Sequence, residues 1–251
     1  MLLIDPDAAD SPVFVLSAQH AAMDGPWHNH RRAQLIYASA GVLTVESTSG
    51  KWVVPPQRGV WIPPGEVHKV SSQHAVWLRT LYAEPAIVSA PSTCRMVVID
   101  RLLSELLIEA SSFGSAFAGD IAKERLMQVI LDRLPNLVAL PFYVPKPTDP
   151  RLSRITIELE KNPTDTRTLA ALASNSGLSA RTAARLFLKE TGMTFGKWRQ
   201  QLRLLIAIQH LGLGKSVSRV AGEVGYTDVS AFIAVFKDAF GETPAKYLHQ
   251  N

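Results

Sequence analysis

One supersecondary unit occurs twice near the end of this chain, and the repeat constrains the fold more than any other feature. TLAALASNSGLSARTAARLFLKETGMT (Thr168–Thr194) lies against SVSRVAGEVGYTDVSAFIAVFKDAFGET (Ser216–Thr243). At an offset of 48 residues Leu172 meets Val220, Ala173 meets Ala221, Gly177 meets Gly225, Ser179 meets Thr227, Ala183 meets Ala231 and Lys189 meets Lys237. The offset is 49 at the closing Gly192 and Gly241. Each copy has the marks of two helices joined by a tight turn. An alanine lets the second helix approach, a glycine four residues on permits the turn, and a Ser or Thr two residues later opens the next helix. Leu172, Leu178, Val220, Val224 and Tyr226 supply apolar flanks to the turns.

The residues on the second helix of each copy then sort into faces. In the first, Ala183, Leu186 and Phe187 turn inward, which leaves Ser179, Arg181, Thr182 and Arg185 on the outer N-terminal face. That end of a recognition helix enters the DNA major groove, and an arginine bidentate to guanine is the commonest base contact. In the second, Phe232, Phe236 and Phe240 form a core stripe, and Thr227, Asp228, Ser230, Ala234 and Lys237 remain outside. Asp228 reads as an N-cap ahead of a base contact, and Lys237 as a phosphate contact or a solvated charge. Phe195–Leu211 reads as one continuous spacer helix of roughly 25 Å, of the order of the ~34 Å between successive major-groove faces.

Charge agrees. Residues 1–150 carry 12 Lys and Arg against 14 Asp and Glu, whereas residues 151–251 carry 14 against 8. A basic carboxyl-terminal part suggests a polyanionic partner.

The pattern Leu178-Ser179-x-Arg181-Thr182-x-x-Arg185-Leu186-Phe187, Thr191-Gly192, Arg203-Leu204, Val224-Gly225-Tyr226, Phe232, Phe236, Phe240-Gly241-x-Thr243-Pro244 resembles the DNA-binding domain of the AraC/XylS transcription regulators. The resemblance implies a seven-helix module over 151–251, double-stranded promoter DNA as partner, a variable effector domain, and RNA polymerase as a further partner in an activator. Ala183 and His210 stand where leucine is usual, and Leu205 and Ile206 replace a charged pair. The apolar pair suggests a contact with the amino-terminal part.

The chain before this module is different in kind. Val13–Leu16, Gln34–Ser39, Val42–Thr48, Lys51–Val54, Gly59–Ile62, Glu66–Ser71 and Ala75–Tyr82 are short, rich in β-branched and aromatic residues, and separated by turn signals, as in a small antiparallel barrel or sandwich. Ser49-Gly50 reads as a hairpin turn in which glycine supplies a positive φ. Leu102, Leu103, Leu106 and Leu107 form one helical stripe, and Leu126, Val129, Ile130 and Leu134 another. They pack on the barrel or form the seam of a homodimer. Five prolines between Pro135 and Pro150 read as a stiff linker.

In the strand region His28-x-His30-x3-Gln34-x6-Gly41 resembles the first motif of the cupin superfamily, with Gln34 where metal-binding members carry glutamate. Pro63-x-Gly65-x2-His68 resembles the core of the second, although Gly59 lies nearer to Pro63 than is usual. Alternate strand residues share a face, so His28 and His30 can point into a barrel together. With His68, and Gln34 as a weak fourth ligand, they make a candidate site for a divalent transition metal. A polar effector pocket without metal and purely structural histidines are the other readings. Trp27, Trp61 and Trp77 complete the candidate effector pocket. His20, His74 and His249 read as surface or strand-end residues. The single Cys94 excludes an intrachain disulfide and reads as an inert thiol.

The expected architecture is α+β with two domains. A cupin-like barrel (a double-stranded β-helix) spans 1–96, a helical dimerisation segment 97–134, a Pro-rich linker 135–150, and an all-α domain with two helix-turn-helix units 151–251. The expected function is sequence-specific regulation of transcription under a small-molecule effector. The alternative is a metal-dependent cupin enzyme, a dioxygenase or isomerase, with an appended DNA module; it requires acid/base groups at barrel motif positions, which Glu46 and Glu66 do not occupy. No signal peptide or membrane span is evident, so a cytoplasmic, non-enzymatic protein is expected.

Overall fold

The computed structural model describes residues 5–89 and 91–248. The chain divides into two compact units, one made of residues 1–48 and 54–142, the other of residues 49–53 and 143–251.

The first unit is sheet-rich. Strands β1 (Val13–His20), β3 (Ala33–Ala40), β6 (Arg58–Ile62), β8 (Val76–Ala83), β9 (Arg95–Val98) and β10 (Ala139–Leu140) form an antiparallel sheet in the order β1-β8-β3-β6-β9-β10. In a second sheet β7 (His68–Ser72) pairs with both β2 (Met23–Asp24) and β4 (Leu43–Ser47). Strand β3 is buried on both faces from Ala33 to Ala38, and period two divides its side chains. Ala33, Leu35 and Tyr37 join a core with Val13, Val15, Trp61 and Leu81 that is closed by helices α1 (Arg101–Ala110) and α2 (Ile121–Arg133). Gln34, Ile36 and Ala38 face the interior between the sheets.

The expected helical stripes are present, but shared between two environments. Leu103, Leu107, Ala110, Met127, Ile130 and Leu134 are buried in that core, whereas Leu102, Ile108, Ile121 and Val129 are exposed. Asp100 caps α1 and Asp120 caps α2. The Pro-rich stretch holds two short strands. Strand β10 pairs with β9, and β11 (Val144–Pro145) pairs with β5 (Gly50–Val54). Proline is compatible with such edge positions because its missing N–H need not face a ladder.

Gly50 corrects the hairpin expectation. It is absent from the glycines of positive φ. A Cβ there would lie 2.8 Å from Tyr143 and 2.9 Å from the Val144 carbonyl oxygen. Glycine is required by the close approach of β11, not by the turn.

The second unit carries helices α3 (Pro150–Lys161), α4 (Leu169–Asn175), α5 (Ala180–Thr191), α6 (Phe195–Gly212), α7 (Val217–Glu223), α8 (Val229–Phe240) and α9 (Pro244–Leu248). From α3 to α8 every helix opens on a side-chain cap: Asp149, Thr168, Ser179, Thr194, Ser216 and Asp228. Each satisfies backbone N–H groups that the helix leaves unpaired, worth ~1 kcal/mol apiece. Gly177 and Gly225, at φ +70° and +85°, make the two tight turns, and Gly192 and Gly241 close α5 and α8 in the left-handed conformation. Trp198 is fully buried, donates its indole N–H to the Pro145 carbonyl at 2.9 Å, and meets Phe187 edge-on. Ala183 is also fully buried, and Leu205, of the apolar pair, is 1% exposed.

Candidate DNA interface and effector site

The structure moves one register. Helices α4 and α7 start 48 residues apart, but α5 and α8 start and end 49 apart. The extra residue therefore falls at the start of α8, not at its end. Asp228 caps α8 by accepting the Ser230 N–H at 2.8 Å, and Thr227 is left outside the helix. In the first copy Ser179 holds the cap, accepting the Thr182 N–H at 3.2 Å. Burial confirms the shift: Ala183 and Phe187 correspond to Phe232 and Phe236, all four at 0% exposure, while Ala231 is exposed. The pairing of Ala183 with Ala231 is corrected accordingly. Side-chain size hides this in the sequence, because the core position is alanine in one copy and phenylalanine in the other.

The outer faces follow. Arg181, Arg185 and Lys189 are exposed on α5. Their equivalents on α8 are Ser230, Ala234 and Asp238, also exposed. The first helix is cationic and the second small and polar. Lys237, exposed, takes the place of Leu188. Ser179 and Thr182 are tied to each other, hydroxyl to hydroxyl, at 2.9 Å.

Arg203 on α6 ties the loop between α3 and α4 to the turn of the second helix-turn-helix unit, and in the sequence only its place in the family pattern marks it. Its guanidinium donates to the carbonyls of Pro163 at 2.8 Å, Asp165 at 3.1 Å and Gly225 at 3.4 Å. A Cβ on Gly225 would lie 2.8 Å from it. Arg199 adds a bond to the Arg167 carbonyl at 2.7 Å.

In the sheet-rich unit the three motif histidines converge. The backbones of His28 and His68 pair as a β-bridge, with both N–H···O bonds at 2.8–2.9 Å, and the His30 carbonyl accepts the Gly65 N–H at 2.9 Å. Each ring donates its Nδ1–H to a backbone carbonyl: His28 to Pro26 at 3.0 Å, His30 to Arg32 at 2.6 Å, His68 to Glu66 at 2.8 Å. A carbonyl oxygen can only accept, so in a neutral ring held this way Nε2 carries the lone pair. One ligand atom from each ring lies within 4.8 Å of the other two. His30 is 6% exposed and His68 0%; His28 is open to solvent. Burial, reinforced by the neighbouring His28 and His30, pulls the His68 pKa down to about 4 against its backbone bond to Glu66, so His68 is neutral at ordinary pH.

Gln34 sits beside them. Its amide N–H groups donate to Thr80 Oγ1 at 2.9 Å and Tyr82 OH at 3.0 Å, which aims Oε1 at His30 Nε2, 3.1 Å away. These donors fit a divalent transition ion: imidazole nitrogens with carbonyl-anchored rings are the usual outer-shell arrangement of such ligands.

Trp61 does not join this cluster. Trp61 lies opposite Leu35 and faces the α1/α2 core, where its indole donates to the Pro91 carbonyl at 2.9 Å. Period two requires it, since its partner Leu35 points away from Gln34. Trp27 and Trp77 are 49% and 47% exposed. Phe14 and Tyr82 supply the aromatic wall instead, with Phe14 stacked on Tyr82 and Tyr82 edge-on to His30. The Cys94 thiol is pushed up to about 12 by burial and by the Glu66 charge, against a bond with Ser47, and is not a thiolate at neutral pH. His20 ends β1, His74 is exposed in the loop before β8, and His249 lies outside the described residues.

A sheet-rich unit with a buried polar cluster, followed by two helix-turn-helix units on a shared spacer helix, defines a one-component regulator of transcription. Residues 172–250 match the family described as Helix-turn-helix domain, and residues 11–91 the family described as AraC-like ligand binding domain. The transcriptional regulator NimR of Escherichia coli is 35% identical over 235 residues, 94% of this chain and 86% of NimR. The regulator RipA of Corynebacterium glutamicum is 31% identical over 133 residues, 53% of this chain and 38% of RipA. Among solved structures, ToxT from Vibrio cholerae aligns over 95% of this chain and 98% of its own, at 11% identity and a TM-score of 0.42. The chain belongs to the AraC family of transcription regulators: its amino-terminal domain binds an effector and its helical domain binds DNA. No helix among the described residues is long and apolar enough to cross a membrane.

Proposed function

We propose that α5 is the principal reading helix of this regulator, with Arg181 and Arg185 on base edges or phosphates, and that α8 contributes shape and polar contacts through Thr227, Ser230, Ala234 and Lys237. The carrying observation is the exposed pair Arg181 and Arg185, four apart at the N-terminal half of a helix whose opposite face is fully buried. Asp228 caps its helix and is excluded from base contact in this reading. The 18-residue α6 sets the separation of the reading helices at about one turn of the duplex, so one chain reads an asymmetric half-site.

The exposed Leu102, Ile108, Ile121 and Val129 on α1 and α2 support homodimerisation through these helices, with promoter DNA in the cytoplasm as target. Charged substitutions Leu102→Glu and Val129→Glu are expected to convert a dimer to a monomer in sedimentation. Unchanged mass would remove this face from the interface.

The test of the reading helix is a titration of the intact protein against DNA from upstream of its own gene, followed by fluorescence anisotropy. Arg181→Ala and Arg185→Ala are each expected to weaken binding by ~1–3 kcal/mol if they contact bases. Unchanged affinity in both variants would refute the assignment of α5.

A further inference from the structure

We infer that α8 reads thymine through its 5-methyl group, with Ala234 and Ser230 as the specificity-determining residues, so that one operator half-site carries guanines under α5 and thymines under α8. The inference rests on the proposed reading of both helices as DNA-facing and names the bases that each takes.

The two helix-turn-helix units carry opposite charge. Thr168–Thr194 holds three Lys and Arg against one Glu, a net +2, whereas Ser216–Thr243 holds two Lys and Arg against four Asp and Glu, a net −2. Of the two cations in the second unit, Arg219 is held by Glu223 at 2.8 Å, and Lys237 lies in the third turn of α8. Phosphates repel an acidic unit, so attraction to the DNA backbone does not hold it on the duplex. Its place beside the DNA comes from the first unit, through the α6 helix that joins them.

What α8 offers a groove is then decided by side-chain type. Between Asp228 and Lys237 the only polar side chain is that of Ser230. Ser230 and Ala234, both exposed, stand at the positions that Arg181 and Arg185 hold on α5. Guanine is read by Arg or Lys, adenine by Asn or Gln, and cytosine by a carboxylate. None of the first four residue types occurs in the first two turns of α8, and the Asp228 carboxylate is spent on the Ser230 N–H at 2.8 Å. Apolar contact with the thymine methyl remains, and an alanine Cβ makes it. The Ser230 hydroxyl bonds to a neighbouring base edge without overriding that choice, since it serves any base. Val229 and Ile233, half-buried, flank this pair and keep that side of the helix apolar. A methyl contact releases no counterion, so it adds specificity without adding salt dependence.

The experiment is an interference footprint of the intact protein on DNA from upstream of its own gene. One probe carries uracil at random in place of thymine, which removes the methyl and nothing else. A second carries guanines methylated at N7, which blocks an arginine contact. Bound and free DNA are separated and cleaved at the modified bases for wild type, Arg181→Ala and Ala234→Gln. Ala234 is exposed, so its variant leaves the core untouched. In wild type, guanine interference is expected in one segment and uracil interference in another about one helical turn away. Each interfering uracil should weaken binding about fourfold, the worth of burying one methyl, and by the same factor at low and high salt. Ala234→Gln is expected to erase the uracil effect and keep the guanine effect, and Arg181→Ala to do the reverse at its own guanine. Uracil without effect in wild type, or a uracil effect that persists in Ala234→Gln, would overturn the inference, while guanine interference would still stand for α5. Uracil interference lost in Ala234→Gln, with no guanine interference in wild type, would instead refute the assignment of α5 and leave α8 as the thymine reader.

Discussion

Arg203 shows how much one side chain can settle. Its three carbonyl partners belong to the loop before the first helix-turn-helix unit and to the turn of the second. Arg203→Ala leaves those carbonyls without their donor and is expected to lower the stability of the helical domain by ~1.5–3 kcal/mol in urea unfolding, the range for hydrogen bonds to charged groups. Gly225 completes the pair. At φ +85°, with the Arg203 guanidinium 2.8 Å from where a Cβ would stand, Gly225→Ala combines left-handed strain with displacement of Arg203. Gly177, at φ +70° with nothing within 4 Å, carries the strain alone. Unfolding midpoints should therefore order wild type, Gly177→Ala, Gly225→Ala, and a reversed order of the two variants would contradict this account. Gln34 was legible as a departure from a motif. That its amide is turned by Thr80 and Tyr82 was not, because those residues lie 46 and 48 positions away.

Helix ends were the most readable elements. Ser, Thr and Asp caps and the closing glycines at 192 and 241 carry their own local chemistry, and the spacer helix ends within one residue of the Phe195–Leu211 expected. The second recognition helix starts one residue later than the 48-residue offset of the repeat places it, because capping passes from a serine to an aspartate one position on. Helix α7 illustrates an element held by surface charge. Lys215 and Arg219 each donate to Glu223, at 2.7 and 2.8 Å, and with them hold its carboxyl down at about 2. The folded state thus keeps this group ionised where the unfolded chain, at its ordinary 4.5, takes up a proton. Stability from it is complete above about pH 4.5 and is lost as pH falls towards 2. Glu223→Gln is expected to flatten acid unfolding over that window. An unchanged pH profile would show that the exposed pairings contribute nothing, as exposed ion pairs often do.

For the whole molecule, the division of charge has a measurable consequence. A basic helical domain that neutralises phosphates releases counterions, so the logarithm of promoter affinity should fall linearly with the logarithm of salt. The slope should drop by about 1 for each of Arg181 and Arg185 that contacts a phosphate, and stay unchanged for one that contacts only a base. A flat salt response in wild type would exclude DNA as the partner.

The sequence by itself determined the order of sheet-rich and helical parts, the doubled helix-turn-helix and its caps, and the residue types at the histidine cluster. These follow from local rules of periodicity, capping and turn conformation that act within a few residues. Tertiary structure alone decided which Nε2 atoms are free, where Trp61 points, why Gly50 must be glycine, and which core residues of the two copies are equivalent. Each of those depends on what a distant segment places beside the residue: a carbonyl, an opposing strand, or a phenylalanine where the other copy needs only an alanine.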